Sequence, residues 1–201
     1  GTYAANIDGV QSTVVGMDAF KTATSDDGAA IFGYLAGRDA NGATHTTLIG
    51  SYAGYKISTG AKNTFVGTES GPQGGAGTGD NNTGVGYLAL SANTTGASNV
   101  AVGRGAGEGI TTGSNNTLIG TEAGSTMSTQ SNCVFIGNLC GEANTAADNV
   151  GIGQQCLETN SSGAALTAVG KMAGEANTSG DNNVFFGHEA GRANTSGSNN
   201  C

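Results

Sequence analysis

The sequence predicts an all-β protein, a parallel β-solenoid or β-roll of about eleven 17-residue coils. Three observations predict it. The composition is that of a repeat rather than of an ordinary domain. A short apolar segment ending in Gly recurs at a nearly constant interval. That segment is too short, and too rich in β-branched residues, to be a helix.

The 201 residues include 37 Gly, a single Pro and no Trp, and only 11% are charged. An average domain carries about a quarter charged residues and roughly 7% Gly. Length alone would allow one or two domains, but this composition argues against an ordinary core. Disorder is also disfavoured, because the 36% apolar residues are placed with strict regularity. Seven basic against fifteen acidic residues give a formal charge of −8, which makes nucleic acid a poor partner. No apolar run approaches the ~18 residues of a membrane span, so membrane insertion is not expected.

The recurring segments end at Gly16, Gly33, Gly50, Gly67, Gly86, Gly103, Gly120, Gly137, Gly153, Gly170 and Gly187. The steps between these anchors are 17, 17, 17, 19, 17, 17, 17, 16, 17 and 17 residues. They define one repeat array over 1–201. Three residues after each anchor stands a small residue, as in Ala19, Ala36, Ser70, Cys140 and Cys156. The next position is Gly (Gly37, Gly54, Gly124, Gly174) or large and apolar (Phe20, Leu90, Leu157). Seven before the anchor is usually Gly, including Gly9, Gly60, Gly96 and Gly113, and four before is mostly Asn, as in Asn63, Asn99 and Asn183. Gly and Asn at fixed phases mark turns with restricted backbone angles. The consensus is close to Asn-Thr-Φ-Val-Gly-x-x-Ala-Gly-x-x-Asn-Thr-x-Gly-x-Asn.

A unit this short cannot hold a helix pair and shows no 3.6-residue period, whereas apolar runs bounded by Gly read as short strands. Stacked at the ~4.8 Å strand spacing, the coils would make a rod of roughly 53 Å. The 19-residue step holds Pro72 and Gly74-Gly75 and is expected to be a two-residue loop bulge; the 16-residue step lacks the usual turn Gly around Ala146-Ala147. Neither interrupts the array.

Alternation along a strand sends successive side chains to opposite faces. The residues one and three before each anchor therefore share a face, which with the Ala column is expected to line the coil interior. The residue two before faces the other way, and there stand Val14, Ile31, Leu48, Phe65, Ala101, Leu118, Phe135, Ala168 and Phe185, with Gly84 and Gly151. None is polar, so the strand is expected to be buried on both faces. An apolar stripe of that length is too large to leave wet. This column is therefore the expected homo-oligomer interface, unless one chain's cavity bends enough to absorb both faces.

Segments such as Asn63-Thr64-Phe65-Val66-Gly67, Asn116-Thr117-Leu118-Ile119-Gly120 and Gly86-Tyr87-Leu88-Ala89-Leu90-Ser91-Ala92-Asn93-Thr94-Thr95-Gly96 resemble repeats of bacteriophage tail fibres. More distantly, the Val-x-Ile-Gly core is similar to the heads of trimeric autotransporter adhesins, which build three-chain parallel β-rolls. The resemblance covers essentially the whole chain, through a motif of low complexity. It implies an elongated homotrimeric fibre on a virion or outside a cell, and it implies no particular receptor.

No nucleophile elbow, phosphate loop or dinucleotide motif stands in its proper context, because the glycines follow the repeat instead. His45 and His188 lie eight coils apart and cannot share a site within one chain. No enzyme activity and no cofactor are expected. Glu142, Glu158 and Glu175 occupy one column with Arg192 following, a weak metal candidate against the simpler reading of a solvated column. Cys140 and Cys156 stack in adjacent coils within reach of a disulfide, or form two small buried thiols. Cys133 takes the Asn phase, and Cys201 begins a further strand. Six Asn-x-Ser/Thr sequons (Asn81, Asn93, Asn115, Asn160, Asn177, Asn194) follow from a repeat rich in Asn and Thr. After the anchors come variable residues, including Tyr34, Tyr52, Glu69, Tyr87, Arg104, Glu122, Lys171 and His188, with Tyr55 nearby, where aromatics could stack on sugars or simply pack.

The function expected from these residues is that of a structural shaft positioning a host-recognition or adhesion tip, with any cell-surface glycan bound by a region outside this chain. Ser198-Asn199-Asn200-Cys201 ends mid-repeat without the polar cap a solenoid end uses. Either the sequence is expected to be part of a longer fibre, or chains continue one another end to end, and the second option makes a self-polymerising filament or sheath subunit the alternative. A glycan- or ice-binding solenoid is a third class; ice binding would want paired outward Thr ladders, and only one interrupted Thr column is present.

Overall fold

The computed structural model describes residues 11–23 and 27–201; Gly9 and the rest of 1–10 and 24–26 lie outside them. Eleven three-residue strands end just before the eleven anchors. They are β1 (Thr13–Val15), β2 (Ala30–Phe32), β3 (Thr47–Ile49), β4 (Thr64–Val66), β5 (Thr83–Val85) and β6 (Val100–Val102), followed by β7 (Thr117–Ile119), β8 (Val134–Ile136), β9 (Val150–Ile152), β10 (Thr167–Val169) and β11 (Val184–Phe186). They form one parallel sheet in strict sequence order, each residue in register with its repeat equivalent, as in Leu48 on Phe65 and Ala101 on Leu118. The chain is a β-solenoid, with no helix among the described residues.

Beyond the strand, each coil closes through tight turns. The amide of the Ala-column residue donates to its own anchor carbonyl at 3.1–3.4 Å, which makes a four-residue turn. Its third residue takes a left-handed φ of 52–60° although it is Leu, Tyr, Glu, Gln, Met or Asp in every coil but that of Gly105. Each such residue costs about 1 kcal/mol in an isolated chain. Coil-to-coil hydrogen bonds offset this. Anchor amides donate to the carbonyl of the preceding coil's last strand residue at 2.7–2.9 Å, and the residue after each Ala position donates to the following coil at 2.7–3.1 Å. Stacking thus uses both donors and acceptors around the whole circumference.

The interior holds the Ala column and the middle residue of every strand. Ile31, Leu48, Leu118 and Phe135 are fully buried, as are Ala36, Ala53, Ala106 and Ala123. The space is shared within a coil. Where the middle strand residue is Phe or Leu, the residue after the Ala position is Gly, as in Phe65/Gly71, Leu118/Gly124 and Phe135/Gly141. Where the middle residue is Gly, that position carries Leu, as in Gly84/Leu90 and Gly151/Leu157. The filling is tight: a Cβ on Gly141 would lie 2.6 Å from Phe135 Cγ.

The Asn phase four before the anchor is also interior. Asn82, Asn99 and Asn116 are buried, and each accepts the backbone amide of the equivalent residue in the next coil, at 3.0, 3.0 and 2.9 Å. Their Nδ2 groups donate to carbonyls of the next coil at 2.8–2.9 Å, so both ends of each buried amide are satisfied. These asparagines hold coils together rather than merely forming turns. A second ladder starts at Asn144, with Nδ2 to Oδ1 steps of 2.6, 3.0 and 2.8 Å through Asn160, Asn177 and Asn194.

Asn93 occupies the phase of that second ladder without belonging to it. The next two residues of that phase are the apolar Ile110 and Met127, and Asn93 Nδ2 is buried with no acceptor. An unpaired buried donor costs about 1–3 kcal/mol. The near-isosteric Asn93→Leu is expected to raise stability by roughly 1 kcal/mol in chemical denaturation. A lower midpoint would show that the amide has a use in the fold.

Candidate functional site

Strand alternation decides which side chains meet solvent, and the structure reverses the parity expected above. Val14 is half-buried, and Ile31, Leu48, Phe65, Ala101, Leu118, Phe135, Ala168 and Phe185 are buried inside a single chain. They are core and cannot be an interface between chains. The outward residues are the first and last of each strand. The reason is volume: a column alternating Phe with Gly suits a shared interior, where the partner position compensates, and has no use on a surface.

The last residue of every strand is Val, Ile or Phe: Val15, Phe32, Ile49, Val66, Val85, Val102, Ile119, Ile136, Ile152, Val169 and Phe186. Seven of these are 36–81% exposed, and the other four are half-buried. The first strand residues beside them are Thr, Val or Ala and none is buried. One face of the rod is therefore a ribbon of β-branched and aromatic side chains repeating at the strand spacing, ~4.8 Å. An apolar stripe exists, one residue along from its expected place.

Glu142 and Glu158 stand in one column, but each carboxylate meets its own surroundings. Partial burial, then the Glu158 and Glu122 charges, push the Glu142 carboxyl above its ordinary value. Glu158 accepts from Gln155 at 3.0 Å, and Glu175 pairs with Arg192 at 2.6 Å. Among the described residues no group of three or more His, Cys, Asp or Glu could hold a metal ion. His45 precedes β3 and His188 follows β11, so they lie far apart.

All four cysteines are free: Cys133, Cys140 and Cys156 are buried and Cys201 is exposed. Cys156 donates to Ala168 O at 3.2 Å. A hydrogen bond with Cys156, together with burial, holds the Cys140 thiol well above the usual range, and burial raises the Cys133 thiol. The bond with Cys140 lowers the Cys156 thiol, which its burial shields from reagent. Thiolate is the reactive form. Ellman's reagent is expected to find one thiol per native chain and four after denaturation. More than one native thiol would contradict this packing.

The sequons divide by burial. Asn93, Asn160 and Asn177 are interior and closed to modification, whereas Asn81 and Asn115 are exposed. Of the variable residues, Arg104 pairs with Glu122, and Tyr87 is exposed on its own. Tyr34, Tyr52 and Tyr55 come together. Beside them Asp39 is partly buried, which opposes ionisation. Hydrogen bonds from Lys56 and Arg38 outweigh this and hold its carboxyl below the ordinary value.

Among the described residues no helix is long and apolar enough to cross a membrane. Compared with family models, curated proteins and solved structures, the chain matches none of them.

Proposed function

We propose that the chain is a structural segment, the shaft of an elongated homotrimeric fibre on a virion or outside a cell that positions a recognition or adhesion tip. We assign it no reaction. The observation that carries this reading is the outward ribbon from Val15 to Phe186 on an otherwise polar rod. Exposed apolar surface of this extent marks an association site. A partner that meets every side chain of the ribbon needs the same ~4.8 Å repeat along its length. A second copy of this chain, aligned alongside, has that repeat. Three copies around an axis parallel to the rod satisfy every ribbon at once, which agrees with the tail-fibre and adhesin-head resemblance.

Negative-stain electron microscopy tests the shaft reading. Short rods of one length and width are expected. Filaments of unlimited length would favour a self-polymerising sheath subunit instead.

A further inference from the structure

The rod's outer turn positions tolerate many residue types, yet three of the chain's five tyrosines fall in the consecutive coils of β2 and β3. Tyr34 and Tyr52 meet edge to face, with ring centroids 5.4 Å apart, and Tyr52 and Tyr55 meet at 5.4 Å with a 57° tilt. Arg38 lies 4.7 Å and Lys56 5.1 Å from the Tyr55 ring centre. Both cations bind the carboxylate of Asp39, at 2.8 and 2.7 Å. Cation–π and ion-pair contacts together hold these long side chains in one arrangement.

The one step of the array that is longer than its repeat lies beside this cluster. Gln73 Nε2 donates to Tyr52 O at 2.8 Å and to Gly71 O at 3.0 Å, fixing the insertion to the tyrosine coil. Gly74, Gly75 and Ala76 then wall a recess of about 230 Å³ with Asp39, Lys56 and Ser58. That is smaller than the roughly 300–1,000 Å³ of pockets for drug-sized ligands. It suits one small polar ring.

We propose that this face, from Tyr34 to Ala76, binds a neutral saccharide. A sugar ring presents a patch of C–H bonds on one face and hydroxyls around its edge. The exposed Tyr34 ring, at the far end of the tyrosine row from the recess, offers an apolar platform for a neighbouring ring of the same oligosaccharide. Asp39 accepts from hydroxyls, and Lys56 and Ser58 donate to them. The charges decide the class of sugar. Arg38 and Lys56 are both bound to Asp39, and Glu69 adds a second negative charge near the Tyr52 hydroxyl, so the face carries two cations and two carboxylates. No surplus cation is left to recognise an acidic sugar.

The test uses the whole chain on an array of oligosaccharides with neutral termini (glucose, galactose, N-acetylglucosamine) and acidic termini (sialic and uronic acids). The strongest neutral probe is then titrated calorimetrically. Tyr34→Ala and the shape-preserving Asp39→Asn, each checked for an unchanged melt, are expected to weaken binding at least about tenfold. Tyr87→Ala, an exposed tyrosine outside the cluster, is expected to leave it unchanged. The proposal is overturned if no neutral probe binds at millimolar concentration or if only acidic probes bind. It is equally overturned if either cluster variant binds as wild type, or if Tyr87→Ala weakens binding as much.

Discussion

Gly103→Ala is expected to destabilise the chain by roughly 4 kcal/mol, the sum of backbone strain and steric conflict. Gly103 has φ +138°, a conformation that L side chains rarely adopt. A Cβ there would sit on the carbonyl of Gly120 in the next coil, 2.6 Å from its carbon. That carbonyl belongs to a stack of anchors and cannot move without moving the coil above. A loss of this size is a large fraction of the total stability of a domain, about 5–15 kcal/mol. Gly187→Ala is the internal control. Its φ is +129°, but a Cβ there meets nothing within 4 Å. It should show only the backbone part, about 1–2 kcal/mol. Denaturant titration of both variants separates the two contributions, and equal losses would show that anchor stacking is not the constraint.

Gly141→Leu is expected to cost about 3 kcal/mol through overpacking, and Phe135→Ala about 4 kcal/mol through the void it leaves. The backbone at 141 is not the obstacle: its φ of +61° is close to the +51° and +57° at which Leu157 and Leu90 already sit. The obstacle is the Phe135 ring. Once that ring is removed, the leucine side chain introduced at position 141 can enter its space, as Leu90 and Leu157 do beside Gly84 and Gly151. The double variant should therefore lose about 2 kcal/mol less than the sum of the singles. Simple additivity would mean that the two positions do not share one volume.

The period, the eleven strands and the interior Ala column were all legible in the residues, because Gly anchors and β-branched runs report directly on turns and strands. The inward face was not. Both the middle and the last strand residues are apolar, so hydrophobicity alone could not choose between Phe65 and Val66. The deciding signal was present in the pairing of sizes: Phe135 with Gly141, Gly151 with Leu157. Only a shared interior requires such compensation. The Asn phase was misleading in a different way. Asn is common in turns, yet Asn82, Asn99 and Asn116 act through side-chain bonds to coils 17 residues away, which local propensity does not describe. The tyrosine cluster depends on the stacking of neighbouring coils, and it became visible only once the register placed Tyr34 beside Tyr52.

The proposal that the outward ribbon joins copies of the chain is tested most directly by light scattering on the size-exclusion peak of the wild type and of the double variant Val102→Lys/Ile119→Lys. Both side chains are outward, 36% and 38% exposed, so the coil itself should survive the change, as the melt would verify. The wild type is expected at about three times the 19.5 kDa chain mass, and the variant at lower mass with its fold intact. A wild-type monomer, or a variant that assembles unchanged, would contradict the interface.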